Sequence, residues 1–301
     1  MFRRSRPLIA EQVPHRRYAR STVEAIASLG GCYHRWWSHD PIGGKRPPTA
    51  PARQRMEAPV SLPLEPAAAI AVFALVAIGS CVQAAVGFGL GLIAAPLLFL
   101  IYPPLVPGPL MASSIALTLL IAFREREAID FAGLGFAFAG RIVGTLLAAL
   151  VWITLPPENF DFVFAGLILL GVAISLSSLR IDPNPATASA AGALSGFMGT
   201  LSAIGGPPMA LLYQRASGPR IRGTLSGHFV IGALVSLAAL TAVGRYGRTE
   251  IILSIWLVPA VLVGFAAAGS IRESVDRTGA RPFVLGLSIL AALGVLYRAV
   301  R

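Results

Sequence analysis

The sequence predicts an all-α polytopic membrane protein of about eight transmembrane helices, in two homologous four-segment halves, with the first helix of each half broken by Gly and Pro. Three observations predict this fold class. Of the 301 residues, 55% are hydrophobic and only 13% are charged, whereas soluble domains carry about 25% charged residues. Apolar stretches long enough to cross a bilayer core of about 30 Å recur after residue 66. A motif of Gly and Pro occurs twice, at matched positions in the two halves.

The two motifs define the predicted breaks. The first runs from Gln83 to Pro96 and the second from Gly192 to Pro208, and their candidate site residues are Gly87, Gly89, Gly91, Pro96, Gly199, Gly205, Gly206 and Pro207. Each motif begins in an apolar segment of helical length, and Gly and Pro loosen or break a helix. Helix packing explains a single break equally well. Two matched breaks favour a transporter's binding site, which broken helices form in corresponding positions of two halves.

Eight apolar segments follow one another after Pro66. They are predicted at about residues 67–95, 105–123, 129–153, 160–179, 187–213, 223–243, 251–270 and 282–300. Residues 66–180 would form the first transmembrane repeat and residues 181–301 the second. Small residues in the third and seventh segments, such as Gly140, Gly144 and Gly264, predict close helix packing, because packing drives helix association in lipid.

Residues 1–65 form a separate zone that is rich in Arg and Pro and lacks a sustained amphipathic period. It holds eleven Lys and Arg against five Asp and Glu. This composition predicts a disordered basic tail. The zone contains no apolar run of the kind that a secretory signal has. A second hypothesis is that translation begins at or near Met56, directly before the first membrane segment, so that residues 1–55 are not made.

Composition and motifs exclude several classes of function. The formal net charge of +11 is spread over the tail, short loops and helix ends, as the positive-inside bias predicts, and no aromatic and basic module accompanies it. We therefore expect no nucleic-acid binding. Cys32 and Cys81 form neither a disulfide framework nor a metal site. The sequence lacks a Walker A motif, His-Glu-x-x-His and Gly-x-Ser-x-Gly, so we predict no enzyme, no cofactor and no metal.

The breaks predict an anion site. A half-helix that begins at a break presents free N–H groups and the positive end of its dipole. Hydroxyl and amide side chains near the breaks can donate to an oxyanion without carrying a full charge, namely those of Gln83, Ser113, Ser114, Thr118, Ser195, Thr200 and Ser202. For any single Ser or Thr, a hydrogen bond to its own helix is the commoner role.

Two ionisable side chains lie inside predicted spans. Arg141, in the third segment, is a candidate counter-charge for an anion, because charges inside a membrane are costly and mark functional sites. The alternatives are a shifted helix edge or an ion pair with Asp130 or another carboxylate. His228, in the sixth segment, either carries a coupling proton or forms a helix–helix hydrogen bond. No Asp or Glu lies deep in a span, which disfavours a carboxylate proton relay and a cation pathway.

The motifs resemble a known family. The stretch from Gln83 to Pro96 resembles the first signature of the TauE/SafE sulfite-exporter family, and residues 112–114 resemble the stretch after it. The second-repeat signature is similar to residues 192–208, followed by Arg222-Gly-Thr. The resemblance covers about residues 66–300 and implies a secondary transporter with two related halves. The family signature has three adjacent glycines, whereas the two copies here read Gly-Phe-Gly-Leu-Gly and Gly-Gly-Pro-Pro, which predicts a differently shaped site.

The resemblance implies export of a small sulfur-containing anion, such as sulfite, sulfoacetate or another organosulfonate, across the bacterial inner membrane. Two alternatives stay open: a transporter of an unrelated small anion or metabolite, and a membrane scaffold subunit without transport activity. The expected partners are the anionic substrate and the lipid bilayer, and a homo-oligomer is compatible with the sequence. The arginines of the connecting loops lie on both faces of an eight-span arrangement, so they assign neither face to the cytoplasm.

Overall fold

A computed structural model describes residues 64–156, 159–177 and 179–278, the last eight of these as backbone only. The hypotheses of a disordered tail and of a start at Met56 concern residues that lie almost wholly outside the described part. The eighth predicted segment, at residues 282–300, also lies outside it.

All regular elements in these ranges are helices. The α-helices are α1 (Pro66–Val86), α2 (Leu90–Ile101), α3 (Gly108–Arg124), α4 (Phe131–Thr154), α5 (Phe160–Leu176), α6 (Pro185–Ser202), α7 (Gly206–Leu212), α8 (Gly218–Ala242) and α9 (Arg248–Thr278). Short 3-10 turns at Pro103–Leu105 and Arg126–Ala128 flank α3. Several helices begin at sequence signals: Pro66 opens α1, and the Asn184 side chain accepts from two N–H groups of the first turn of α6, as N-cap residues do.

Five helical stretches in the described part are long and apolar enough to cross a membrane: Pro66–Val86, Pro103–Arg124, Phe131–Thr154, Gly218–Ala242 and Arg248–Ser270. Shorter apolar helices are Leu90–Ile101 and Phe160–Leu176. The first and fifth predicted segments are each divided in two. Gly89 separates α1 from α2, with neighbouring Gly87 at φ 103° and Gly89 itself at φ 138°, and Ala203 ends α6 at φ 62°.

Both breaks turn the chain back beside the helix that precedes them. A Cβ placed on Gly79, in the middle of α1, would lie 3.2 Å from the Cα of Leu90, the first residue of α2. A Cβ on Gly205 would lie 2.8 Å from the carbonyl oxygen of Ser195, two turns before the end of α6. The glycines make the first turn without help from Pro96, which lies buried inside α2. The prediction that Pro96 helps to break the helix was therefore wrong.

Small residues bring α4 and α6 into backbone contact. A Cβ on Gly140 or Gly144 would overlap the carbonyl oxygens of Ser189 or Ala193, respectively, and Gly192 is packed as closely against α4. This register makes the two helices parallel. The packing predicted from the glycines of the third segment is therefore observed, and its partner is the first helix of the second half.

Helix α9 packs on α1 in the same manner. A Cβ on Gly264 would overlap the carbonyl oxygen of Ala77 in α1. Helices α3 and α8 pack on each other. An arginine lies over an aromatic ring at the end of α3 and again just after α8. The guanidinium of Arg124, the last residue of α3, lies 5.3 Å from the ring centre of Phe265, and that of Arg245 lies 4.4 Å from the ring centre of Trp152.

A buried ion cluster closes the end of α1. Arg222 is 1% exposed, and its Nε donates to Glu125 at 3.2 Å while its Nη1 donates to the carbonyl of Ala85 at 3.1 Å. Arg124 donates to the same carboxylate and to the carbonyl of Ala84. Cations at a helix C-terminus offset the negative end of its dipole. The cluster thus fixes α1, α3 and α8 at the first chain reversal.

The packing of α4 on α6 predicts that Gly144→Ala destabilises the fold. The new methyl group would overlap the carbonyl of Ala193, and overpacking of this kind costs about 1–3 kcal/mol. We expect a lower midpoint of thermal unfolding, followed by circular dichroism in detergent. Gly135→Ala is the matched control on the same helix, because nothing lies within 4 Å of its Cβ position. Equal midpoints for the two variants would contradict the backbone contact.

Candidate functional site

The two chain reversals meet. A Cβ on Gly91, in the first turn of α2, would overlap the carbonyl oxygen of Ala203, and one on Gly206 would lie 3.0 Å from the Cβ of Phe88. Irregular backbone of this kind occurs at membrane depth only where protein or a water-filled cavity surrounds it. A cavity of about 60 Å³ lies at this meeting point.

The cavity collects residues from both reversals and from α3, α4 and α8. Of the predicted site residues, it is lined by Gln83, Gly89, Gly91, Ser114, Arg141, Gly199, Gly205, Gly206 and Pro207. The remaining predicted residues do not line it, namely Gly87, Pro96, Ser113, Thr118, Ser195, Thr200, Ser202 and His228. The other lining residues are Phe88, Leu90, Leu92, Leu110, Met111, Ala203, Ile204, Phe229 and Ala233. The cavity therefore joins the two predicted breaks, and much of its wall is apolar.

Gln83 is buried, and its side-chain oxygen accepts a hydrogen bond from the N–H of Leu90 at 3.2 Å. Leu90 opens α2, so its N–H has no partner within the helix. Gln83 therefore caps α2 from across the reversal, a role that the sequence did not indicate.

Arg141 is the charged residue among the described residues of the cavity wall. It is 4% exposed, and its Nη1 donates to the hydroxyl of Ser195 at 3.0 Å and lies 3.2 Å from Nε2 of His228. Its Nε has no hydrogen-bond partner among the described residues. A Cβ on Gly232 would overlap this Nε, and one on Gly199 would lie 3.3 Å from Nη2. Two glycines thus leave the space that the guanidinium occupies.

Arg141 forms no ion pair with a carboxylate of the described residues. Asp130, the partner considered from the sequence, instead lies 3.1 Å from Arg220 and accepts from the hydroxyl of Tyr213 and the N–H of Gly133. Burial raises the pKa of Asp130, but these hydrogen bonds and the charge of Arg220 outweigh it and hold the pKa below its ordinary value. The alternative of an Arg141–Asp130 pair was wrong.

The tautomer of His228 follows from its contact with Arg141. Nε2 lies 3.2 Å both from Nη1 of Arg141 and from the hydroxyl of Ser195. A guanidinium has only N–H donors, so the contact with Arg141 is satisfied with Nε2 as the acceptor and the ring proton on Nδ1. Nδ1 has no hydrogen-bond partner among the described residues, and the ring stacks on Phe138 with 5.6 Å between ring centres. His228 is therefore neutral in this arrangement. Its predicted role in proton coupling stays a prediction.

Ser195 connects Arg141 to the second reversal. Its hydroxyl accepts from Arg141 and donates to the carbonyl oxygen of Gly205 at 2.7 Å. The other predicted serines behave differently. Ser113, Ser114 and Ser202 donate to carbonyl oxygens of their own helices, the commoner role noted above.

The two half-helices offer unequal N-termini to the cavity. Helix α2 begins with Leu90, Gly91 and Leu92, which all retain backbone N–H groups. The first turn of α7 contains Pro207 and Pro208, and Pro has no N–H. The positive end of a helix dipole is therefore better presented by α2, which the sequence motif alone did not distinguish.

The sequence indicated some of the additional wall residues only weakly. Phe88 lies within the first motif between two glycines and contacts the second reversal, yet an aromatic residue in an apolar segment carries no site signal by itself. Gly232 is an ordinary glycine of the sixth segment until the position of Arg141 is known. Both belong to the site through tertiary contacts.

Comparison with known proteins gives one family. The family model described as "Sulfite exporter TauE/SafE" matches residues 71–295. No curated protein and no solved structure matches the chain significantly.

The bridging position of Ser195 predicts that Ser195→Ala is more destabilising than Ser202→Ala. Both serines are fully buried on α6. Loss of the Ser195 hydroxyl leaves the Gly205 carbonyl and one N–H of Arg141 without that partner, which costs about 1–3 kcal/mol. Loss of the Ser202 hydroxyl removes a bond within one helix and costs about 1 kcal/mol or less. Chemical denaturation in detergent measures the difference, and equal losses of unfolding free energy would contradict the bridge.

Proposed function

Because the chain belongs to the TauE/SafE sulfite exporter family, we propose that it is a secondary transporter that exports a small sulfur-containing oxyanion across the bacterial inner membrane. The family is one of membrane transporters for sulfite-like anions, and the apolar helices identify an integral membrane protein. The proposed substrates are sulfite and short organosulfonates. The proposed binding site is the cavity between the two chain reversals.

The observation that carries this proposal is Arg141. A buried guanidinium lines the cavity and forms no ion pair with a described carboxylate. Burying a charge without compensation costs several kcal/mol, and charges inside a membrane usually belong to a substrate or ion pathway. An oxyanion beside Arg141 would neutralise this charge and accept hydrogen bonds from its planar donors.

The surroundings support an anion. The N-terminus of α2 lies at the cavity, where backbone N–H groups and the helix dipole favour negative charge. The first turn of α2 and Arg141 would share an anion between a dipole and a full charge. None of the described residues that line the cavity is a carboxylate that would repel it.

The size of the cavity favours the smaller candidates. A cavity of about 60 Å³ is small, with room for a few groups the size of a water molecule. Sulfite, with one sulfur and three oxygens, matches this space more closely than sulfoacetate. A longer organosulfonate would require the reversals to move apart.

We also propose that the two halves are inverted copies of each other. The packing of α4 on α6 is matched by that of α9 on α1. The contact of Arg124 with Phe265, at the end of α3, is matched by that of Arg245 with Trp152, just after α8. Near the end of α1, the carbonyl of Ala84 accepts from Arg124, which lies just before α4 begins. Near the end of α6, the carbonyl of Thr200 accepts from Trp152, which lies near the end of α4. These contacts support opposite directions for α1 and α6, as inverted-topology transporters have.

Flux through liposomes tests the function and the role of Arg141 together. We expect saturable flux of labelled sulfite through the purified, reconstituted protein, and a reduction of about 10-fold or more in Arg141→Gln, because hydrogen bonds to charged groups contribute about 1.5–3 kcal/mol. Arg141→Lys retains the charge without the planar donors and should retain part of the flux.

Size-exclusion profiles in detergent provide the folding control for these variants. Folded wild-type protein that moves neither sulfite nor any other small anion tested would favour the scaffold alternative. Wild-type flux through folded Arg141→Gln would remove Arg141 from the binding site.

The space left by Gly232 gives an independent prediction. Gly232→Ala would place a methyl group where the Arg141 guanidinium lies, so we expect a several-fold higher concentration of sulfite at half-maximal flux. The matched control is Gly227→Ala on the same helix, whose Cβ would make only ordinary contact at 3.4 Å with Leu134. If both variants change the half-saturating concentration equally, the guanidinium does not contact the substrate at this position.

A further inference from the structure

The fixed charge of the cavity wall is a single positive charge. Among the described residues that line the cavity, Arg141 is the charged one, and Gln83 and Ser114 supply neutral polar side chains. A site with one positive charge is neutralised by one negative charge.

The neighbours of Arg141 leave this charge unchanged. His228 on α8 accepts from Arg141 at Nε2 and is therefore neutral. Nε2 also lies 3.2 Å from the hydroxyl of Ser195. Adding a proton to Nε2 would place a second positive charge 3.2 Å from the guanidinium of Arg141. Helix α6 contributes the neutral Ser195, and the facing residues of α7 are Gly205, Gly206 and Pro207.

The other buried charges of the described part are engaged elsewhere. Glu125 is paired with Arg124 and Arg222 at the end of α1, and Asp130 is paired with Arg220. None of these five residues lines the cavity. Within the part of the chain that the structure describes, the site therefore offers an anion no second cationic side chain.

The rest of the wall is suited to an uncharged group. Leu110 and Met111 of α3, Ile204 of the second reversal and Phe229 of α8 line the cavity. These side chains cannot hydrogen-bond an oxygen, and a polar atom placed against them without a partner costs free energy.

We infer that the cavity selects anions that carry one negative charge and a small uncharged remainder, namely hydrogensulfite and short alkylsulfonates, and that it rejects the sulfite dianion and sulfate. This selectivity rests on the proposed function of the cavity as the transport site. A dianion would leave one negative charge buried without a counter-charge, which is strongly unfavourable.

The selectivity has a consequence for proton movement. Hydrogensulfite carries its own proton across the membrane and releases it on the far side as sulfite forms. Transport of this species moves one proton with each sulfite without any side chain having to titrate. The neutral, hydrogen-bonded state of His228 agrees with this route.

Competition in liposomes tests the selectivity with two probes of equal size. Methanesulfonate and sulfate are both tetrahedral and have the same number of non-hydrogen atoms, but methanesulfonate has one charge and a methyl group. We expect methanesulfonate to inhibit flux of labelled sulfite through the wild-type protein at a concentration at least ten-fold below that required of sulfate. Equal inhibition, stronger inhibition by sulfate, or no inhibition by methanesulfonate would overturn the inference.

The dependence on pH separates the charge of the anion from the protonation of the protein. Methanesulfonate stays a monoanion, whereas sulfite becomes hydrogensulfite as the pH falls through neutrality. At fixed total sulfite, we expect flux of labelled sulfite to increase on acidification. We expect the concentration of methanesulfonate that half-inhibits Arg141-dependent flux to stay constant, once it is corrected for competition by hydrogensulfite. A constant sulfite flux, or an equal change in the affinity for both anions, would overturn the inference.

The two proposals fail in different ways. Absence of saturable sulfite flux at every pH would count against the cavity as a transport site. Saturable flux with sulfate as an equal competitor would leave transport intact and overturn only the selectivity for monoanions.

Discussion

Unpaired backbone groups cannot face lipid, and this constraint determines how the chain is built around its two reversals. Each reversal interrupts a helix within an apolar region, so each must be covered by protein. The structure covers each with the other: Gly91 packs against the carbonyl of Ala203, and Gly206 against Phe88. The glycines are needed here for close approach, since a side chain at Gly91 would separate the two turns. The contacts that cover the two reversals are therefore the same contacts that form the cavity.

The arginine follows from this arrangement. Arg141 projects from α4 to the point where the reversals meet, and Ser195 connects it to the backbone of the second one. The position of the guanidinium is set by a hydroxyl, a neutral imidazole and the space above Gly232, without a described carboxylate in contact. A carboxylate there would satisfy the arginine permanently and would compete with any anion for the same donors.

Local sequence signals predicted the helical membrane architecture and the places where α1 and α6 end, because hydropathy and glycine act locally. They did not predict that the chain reverses at these places, since the direction taken after a break depends on tertiary packing. Pro96 was misjudged for a related reason: a proline within a buried half-helix is tolerated when its surroundings satisfy the freed carbonyl. Gln83 lines the cavity, as its position in the first motif predicted, but its hydrogen bond to Leu90 depends on the reversal. Likewise, the bridging role of Ser195 could not be separated from the ordinary roles of Ser113 and Ser202 without coordinates.

The contact of α4 with α6 limits which parts of the molecule can move. Helices that touch through carbonyl oxygens at Gly140, Gly144 and Gly192 cannot slide or rotate past each other without separating. Arg141 and Ser195 are on these two helices, so the proposed charged anchor of the substrate moves with a rigid pair. A cycle that opens the cavity alternately to the two sides of the membrane would therefore move other helices against the α4–α6 pair, which forms the fixed frame.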